Sequence, residues 1–327
     1  MKKIILILQA ILLAKVGLCQ YHPPAGKTGS SAIYKDSSII KNWAKSCKII
    51  RGWKDIAHKD SGFTTIGDSL SAIGAAGENG IVSLGDSGIA ICSFSQPIID
   101  GDGWDFAVFE NSFSDEYLEL AFVEVSSDGN KFFRFPCHSL NDTSTQTTAF
   151  GTTNAEKINN LAGKYRFGFG TPFDIGELPY YKDLDKQNIR FVKIVDVIGS
   201  LNNQFATFDT AKRKINDPYP TLFASGGFDL DAIGVINEKP ISGVDKIDDN
   251  IEISTQNPLG FNSAINIKLK STGNLKLIVI DYKGSVYKEF EVNNNSITLN
   301  PSDIPFGFFI LKFAGKNSYY YYKAIKL

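Results

Sequence analysis

The stretch LELAFVEVSSDGNKFFRF, residues 118–135, decides how this chain folds. It runs apolar and β-branched, stops at Ser127-Asp128-Gly129-Asn130, and resumes with aromatic residues. Glycine and asparagine tolerate positive φ, so the four central residues read as a hairpin turn between two strands. Upstream, GIAICSF (88–94) alternates: Ala90, Cys92 and Phe94 fall on one side, Ile89 and Ile91 on the other, the period of a strand. The same style recurs in DFAVFEN (105–111), IRFVKIVDVIG (189–199) and FDLDAIGVIN (228–237). Many short strands separated by Gly, Asp and Asn turns predict an all-β sandwich.

Helical signals are few. DSSIIKNWAKSC places Ile39, Ile40, Trp43 and Ala44 at helical spacing, which predicts one short helix over 36–47. TNAEKINNLAG predicts a second over 153–163, capped by Thr153 or Asn154 and ended by Gly163.

The chain has 327 residues, a net charge of −1 and 43% hydrophobic residues, enough for one large domain and one small one. The charge balance offers no basic surface for nucleic acid. Lys2 and Lys3 precede an apolar run to Leu13, and Lys15 interrupts it too early for a spanning helix. Residues 1–20 therefore read as a cleaved secretory signal, with lipidation of Cys19 as the alternative. Cys47, Cys92 and Cys137 remain, without C-x-x-C spacing, either as buried thiols or as one disulfide with a spare. His22, His58 and His138 are scattered, which leaves little for a zinc site or a Ser-His-Asp triad. No phosphate-binding loop, dinucleotide fingerprint or nucleophile elbow occurs.

Composition shifts after Asn237. Residues 238–250, EKPISGVDKIDDN, are charged, lack aromatics and read as a linker. Beyond them, short strand patterns such as INIKLK, LKLIVIDYKG and FFILKFAG fill 251–327 and predict a small immunoglobulin-like sandwich.

That tail resembles the C-terminal sorting domain of the bacterial type IX secretion system. The likeness rests on Asn257-Pro258 before the first strand, Asp281 with Gly284 in a mid-domain hairpin, Gly307 before the penultimate strand, and Lys323 and Lys326 in a basic last strand. Leu259 stands where an aromatic is common, and Lys283-Gly284 reverses the usual Gly-Lys pair. The resemblance implies Sec export, the type IX secretion machinery as partner, removal of the tail, and secretion or attachment to the outer cell surface.

Residues 21–237 resemble discoidin-like and carbohydrate-binding jelly rolls in the order of GIAICSF, LAFVEVSSDGNKFFRF, IRFVKIVD and FDLDAIGVI. More closely, DFAVFEN, NLAGKYRFGFGTPFD and DPYPTLFASGGFDLDAIGV resemble a family of bacterial cell-surface proteins that carries no established activity with it. The resemblance implies a large jelly-roll β-sandwich.

IIDGDGWDFAVFEN (98–111) concentrates Asp100, Asp102, Asp105 and Glu110 around glycines. An EF-hand loop started at Asp100 fails, because Trp104, Asp105 and Asn111 occupy its fifth, sixth and twelfth positions. Calcium takes six to eight hard oxygen ligands from flexible loops, and Gly101 and Gly103 let carbonyls turn inward. Jelly rolls of this kind often hold a structural calcium where an early loop meets the final strand. Asp229 and Asp231, two apart in FDLDAIGV, would supply the other half from one face. The expectation is a structural calcium joining some of Asp100, Asp102, Asp105 and Glu110 to Asp229 or Asp231. The alternative is that the Asp-Gly pairs simply turn the chain.

Two loops, 162–183 and 217–228, combine aromatics with Gly and Pro. Tyr165, Tyr180, Tyr181 and Tyr219 are the candidate stacking surfaces, with Trp104, and Arg166 and Asp174 the hydrogen-bonding partners. The leading expectation is a surface protein that binds a glycan without catalysis. Capture of a small cofactor such as a corrinoid, a glycoside hydrolase with paired carboxylates, and a structural adhesin are the alternatives.

Overall fold

The computed structural model describes residues 21–239, 251–255, 258–269, 275–315 and 319–327. They form two compact units, divided between Lys239 and Pro240. The fold is all-β, as the strand patterns predict.

The first unit contains thirteen strands: β1 (Ile33–Tyr34), β2 (Asn42–Trp43), β3 (Ser46–Ile50), β4 (Val82–Ser83), β5 (Ile89–Ile98), β6 (Phe106–Glu110), β7 (Ala121–Ser126), β8 (Phe133–Arg134), β9 (His138–Ser139), β10 (Ile158–Asn159), β11 (Phe169–Phe173), β12 (Ile189–Asp196) and β13 (Asp229–Val235). One large sheet runs β1-β11-β6-β13-β2, with β4 also on β13; the other runs β3-β5-β12-β7-β8, and β9 and β10 pair as a separate two-stranded sheet. Their facing sides share one core, to which the first sheet contributes Phe106, Val108, Leu230 and Ile233 and the second Cys92, Val123, Val192 and Ile194. Alternation drives this, since every second side chain of a strand points to the same face. Ala90 and Cys92 are buried in that core and Phe94 packs against it, the side on which the sequence places them. A separate cluster with Ala107, Phe109 and Ala232 covers the outer face of the first sheet.

The 127–130 hairpin forms. Gly129 has φ +77°, and Asp128 Oδ1 accepts the amides of Asn130 at 2.8 Å and Lys131 at 3.0 Å.

Neither expected helix forms. In 36–47, Trp43 pairs with Gly234 of β13, while Cys47 pairs with Cys92 of β5. Sheet pairing on both sides overrides the helical spacing, because this segment crosses from one sheet to the other. Cys47 and Cys92 are joined as a disulfide, and Cys137 is a buried free thiol. In 153–163, Asn154 caps only a 3-10 turn, Ala155–Lys157, before β10 begins. Among the described residues no helix is long and apolar enough to cross a membrane.

Among its described residues the second unit has seven strands: β14 (Ile251–Ser254), β15 (Ile265–Leu269), β16 (Leu275–Asp281), β17 (Val286–Val292), β18 (Ser296–Leu299), β19 (Gly307–Ala314) and β20 (Tyr319–Lys326). They make two antiparallel sheets, β14-β15-β18 and β17-β16-β19-β20, around a core that includes Ile267, Val279, Leu299 and Leu311. Asp281 Oδ1 accepts the amides of Lys283 and Ser285, both at 2.9 Å, and closes the β16–β17 turn at Gly284. Residues 1–20, most of the 238–250 linker and Asn257 lie outside the described residues.

Candidate functional site

The antiparallel pairing of β6 with β13 divides the first half of the expected calcium site, leaving Glu110 near the start of β13 and carrying Asp105 to its other end. Leu230 lies opposite Glu110, whereas Val235 lies opposite Phe106, so Asp105 meets the far end of β13. Asp105 and Glu110 stand five residues apart on an extended strand, about 16 Å. Asp105 therefore does not meet Asp229 or Asp231; its neighbours are Asp100 and Asp174, and of the four acids expected to reach β13's aspartates Glu110 is the one opposite Leu230.

The carboxylate oxygens of Asp100, Asp105 and Asp174 lie within 4.8 Å of one another. Most of them are already used. Asp105 Oδ1 accepts Gly101 N at 2.9 Å and Asn237 Nδ2 at 2.8 Å, and Oδ2 accepts Ile175 N at 2.7 Å. Asp174 Oδ1 caps Gly176 N at 2.7 Å, and Lys186 Nζ approaches Asp100 Oδ2 at 3.9 Å. Asp102 is exposed and outside the cluster. This end of β6 has the bonding of a turn stapled to the residues after β11 and β13, with the Asp105 carboxyl pushed up by burial first of all.

The other end of β6 is different. Glu110, Glu119, Asp217 and Asp229 are all buried, each at most 8% exposed. Glu119 and Asp217 were not singled out in the sequence. Glu110 Oε2 accepts Ser112 N at 2.7 Å, and Asp217 Oδ2 accepts Leu120 N at 3.1 Å. Asp217 Oδ1 and Asp229 Oδ1 are buried without any hydrogen-bond partner, as is Ser83 Oγ, opposite Asp229 in the β4–β13 pair. Glu119 has no side-chain hydrogen bond among the described residues. No ion pair among them reaches any of the four acids. Burial, which disfavours the charged form, raises all four carboxyls: Asp229 to about 7, Glu110 well above the usual range with the charge of Asp229 adding, Glu119 likewise with that of Glu110 adding, and Asp217 with that of Asp86 adding. Asp196, at the end of β12, is buried beside them but holds Phe228 N at 2.8 Å and Ser87 N at 3.1 Å.

Asp231 has other surroundings. The ladder shifts register between Leu230 and Ala232, so the strict alternation that would pair Asp231 with Asp229 is broken. Asp231 Oδ1 accepts Gly77 N at 2.9 Å, Oδ2 is buried without a partner, and burial raises the carboxyl to about 6.

The expected aromatic platform is dispersed. Tyr165 is 1% exposed, and its hydroxyl shares a 2.8 Å hydrogen bond with Ser31 Oγ. Arg166 pairs with Asp115 at 2.6 Å and donates to Ala25 O at 2.9 Å. Trp104 packs against the outer-face cluster, and Tyr181 against the main core beside Phe133. Tyr219 donates to Asp55 Oδ1 at 2.8 Å. Of the seven expected ligand residues, Tyr180 alone is largely exposed.

A row of rings that the sequence reading passed over lies elsewhere. Phe113, Tyr117, Phe150 and Phe223 follow one another with centroid separations of 5.8, 6.3 and 5.3 Å. Phe113 is 82% exposed and Phe150 73%. Near them in the chain is a polar cleft of about 970 Å³ whose walls include Glu116, Asn141, Gln146, Thr148 and Gly151, with none of the four rings among its lining residues. Phe150 sits in the chain between Thr148 and Gly151, and Phe113 just before Asp115, another wall residue. The available signal was NDTSTQTTAFGTTN (141–154), a long polar run whose single exposed ring has no strand to belong to.

No family model and no curated protein matches the chain. Among solved structures it is similar to a β-glucuronidase from Ruminococcus gnavus in complex with uronic isofagomine, at 10% identity over 93% of this chain and 45% of that one, with a TM-score of 0.24. The same enzyme with uronic deoxynojirimycin gives 9% identity over 93% and 47%, with a TM-score of 0.23. The chain spans about half the length of these structures, and likenesses so slight place neither a site nor an activity.

Proposed function

We propose that the first unit is a glycan-binding module of jelly-roll type that acts without catalysis, and that the second is a type IX sorting domain carrying it to the outer cell surface. The observation behind the binding reading is the exposed aromatic row, near the polar cleft in the chain. Sugar rings present apolar C–H faces that stack on aromatic rings and hydroxyls that pair with amides, hydroxyls and carboxylates. Phe113 and Phe150 offer the first, and the Asn, Gln and Thr side chains of the cleft the second. The Cys47–Cys92 disulfide supports an oxidising compartment and hence export.

The purified chain on a glycan array tests the binding reading, with a panel of small cofactors including corrinoids alongside. Retention of a defined glycan class is expected, and Phe113→Ala and Phe150→Ala should each weaken it about 2- to 12-fold, the worth of one stacking contact (~0.5–1.5 kcal/mol). Retention of a corrinoid and no glycan, or full binding by both variants, would overturn it.

A further inference from the structure

We propose that one end of the second unit, where β19 begins and β20 ends, is a docking surface for an anionic lipid membrane. The surface goes beyond the glycan reading and depends on neither it nor the sorting role.

Alternation decides which side chains are left outside. Phe309, Leu311, Phe313 and Ala324 are buried in the small core, so Phe308 and Ile325, paired across β19 and β20, point to the opposite face of the sheet. Phe306 stands just before β19, with Gly307 at φ +80° between it and Phe308. Phe261 joins them from another segment, its ring centroid 5.4 Å from that of Phe306. Leu259 fastens that segment to the end of β20, donating its amide to Ile325 O at 2.7 Å and accepting the Leu327 amide at 2.9 Å. Phe261, Phe306, Phe308 and Ile325 are each between 41% and 65% exposed. Single exposed apolar residues are ordinary, but four gathered from three segments make a patch, and such patches mark interaction surfaces.

The charge around the patch points to an anionic partner. β19 and β20 carry Lys312, Lys323 and Lys326 and no acidic side chain. The acids on two neighbouring turns are already engaged: Asp281 Oδ1 accepts the Lys283 and Ser285 amides, and Asp303 pairs with Lys288. Lys326 points inward and holds the end together, donating to Pro301 O at 2.6 Å and Ile304 O at 3.3 Å with its ammonium 4.5 Å from the Phe306 ring centre.

The order of residues along the strands favours a bilayer. The next outward pair after Phe308 and Ile325 is Ile310 with Lys323, two residues and about 7 Å along the strands. Beyond it Lys312 lies opposite Tyr321, its ammonium 4.5 Å from the Tyr319 ring centre and 5.8 Å from that of Tyr321. An apolar end that sinks about 5–10 Å into a bilayer thus brings Lys323 level with the lipid phosphates. The tyrosines then stand at the polar boundary, where amphipathic rings settle. A second copy docked on the same surface by two-fold symmetry would instead set lysines against lysines.

The test mixes the purified full chain with vesicles of phosphatidylglycerol and phosphatidylcholine, or of phosphatidylcholine alone, and measures the fraction that sediments with lipid. Binding to the mixed vesicles is expected, weaker on phosphatidylcholine and weaker in high salt. Phe306→Ser and Phe308→Ser should each lower lipid affinity about 10-fold, and Lys323→Gln about 5-fold with a flatter salt dependence. Leu70→Ser, which removes an exposed apolar side chain of the first unit, should change nothing. Phe308→Trp reads the surface directly: its emission should shift to the blue with mixed vesicles and be quenched by lipid brominated on the acyl chain. Failure of the folded wild type to bind mixed vesicles would overturn the proposal. So would undiminished binding by Phe306→Ser and Phe308→Ser, or a dimer in solution that Phe308→Ser dissociates while vesicles stay unbound.

Discussion

Asp86 shows how one buried carboxyl shapes the behaviour of the sandwich. It is 2% exposed, its Oδ2 accepts Ile56 N at 2.7 Å, and burial raises it to about 7, with the charge of Asp55 adding. Asp196, Asp217 and Tyr219 also feel its charge. The folded chain thus holds this proton more tightly than the unfolded chain, where the group titrates near ~4. Its contribution to stability is fully present below that value and is lost as pH rises through about 7. Unfolding free energy should therefore fall between pH 5 and pH 8, and Asp86→Asn should flatten the fall over that window by up to roughly 3 kcal/mol, about two of the three pK units at ~1.4 each. Denaturant titrations across that range measure it, and an unchanged slope in the variant would count against the assignment. Charge is legible in a sequence but burial is not. Asp229 and Glu110 stood out because they sit in strongly apolar strands. Glu119 and Asp217 lie in stretches whose evident features are hairpin strands and aromatic loops, so nothing local distinguished them from solvated acids.

At the scale of the element, strand identity was readable and strand partnership was not. Alternation predicts that Ala90 and Cys92 share a face, but not that β3 lies beside β5 and brings Cys47 against Cys92. That contact depends on residues 45 positions apart in the chain. Likewise, the two-residue spacing of Asp229 and Asp231 suggested a common face until the register shift in β13 separated their surroundings. The helical spacing in 36–47 lost to pairing with two sheets, and no local pattern announces such a crossing. The disulfide has a measurable consequence. Closing a loop of this length restricts the unfolded chain by about 4 kcal/mol on the chain-entropy account. Replacing Cys47 and Cys92 together by alanine should thus lower stability by about 2–4 kcal/mol in denaturant unfolding, with both strands still paired. In the wild type, alkylation in denaturant without reductant should label Cys137 and leave Cys47 and Cys92 unmodified until reductant is added.

The whole molecule combines two sandwiches with separate cores, and the proposed division of labour gives each a distinct test. In the first, Tyr117 belongs both to the aromatic row and to the surroundings of the deep carboxylates, whose charges act on its phenol. The second has a different logic. Its recognisable features fix small pieces of backbone: Asp281 ties the β16–β17 turn, Gly307 takes φ +80° at the start of β19, and Lys326 donates to Pro301 O at 2.6 Å. A sorting signal must be read as a folded surface, so these features matter through the sandwich they close. Attached to an exported reporter in a bacterium with a type IX system, residues 238–327 should carry the reporter to the medium or cell surface, while the reporter without them stays periplasmic. Ala324→Asp, which puts a charge into the small core where Ala324 is 2% exposed, should abolish transport by unfolding the unit. Lys323→Ala should spare the fold, so its transport level separates a signal carried by the basic last strand from one carried by the sandwich as a whole. Retention of the reporter in the periplasm with the unit attached and folded would remove the sorting role and leave a second binding or structural module in its place.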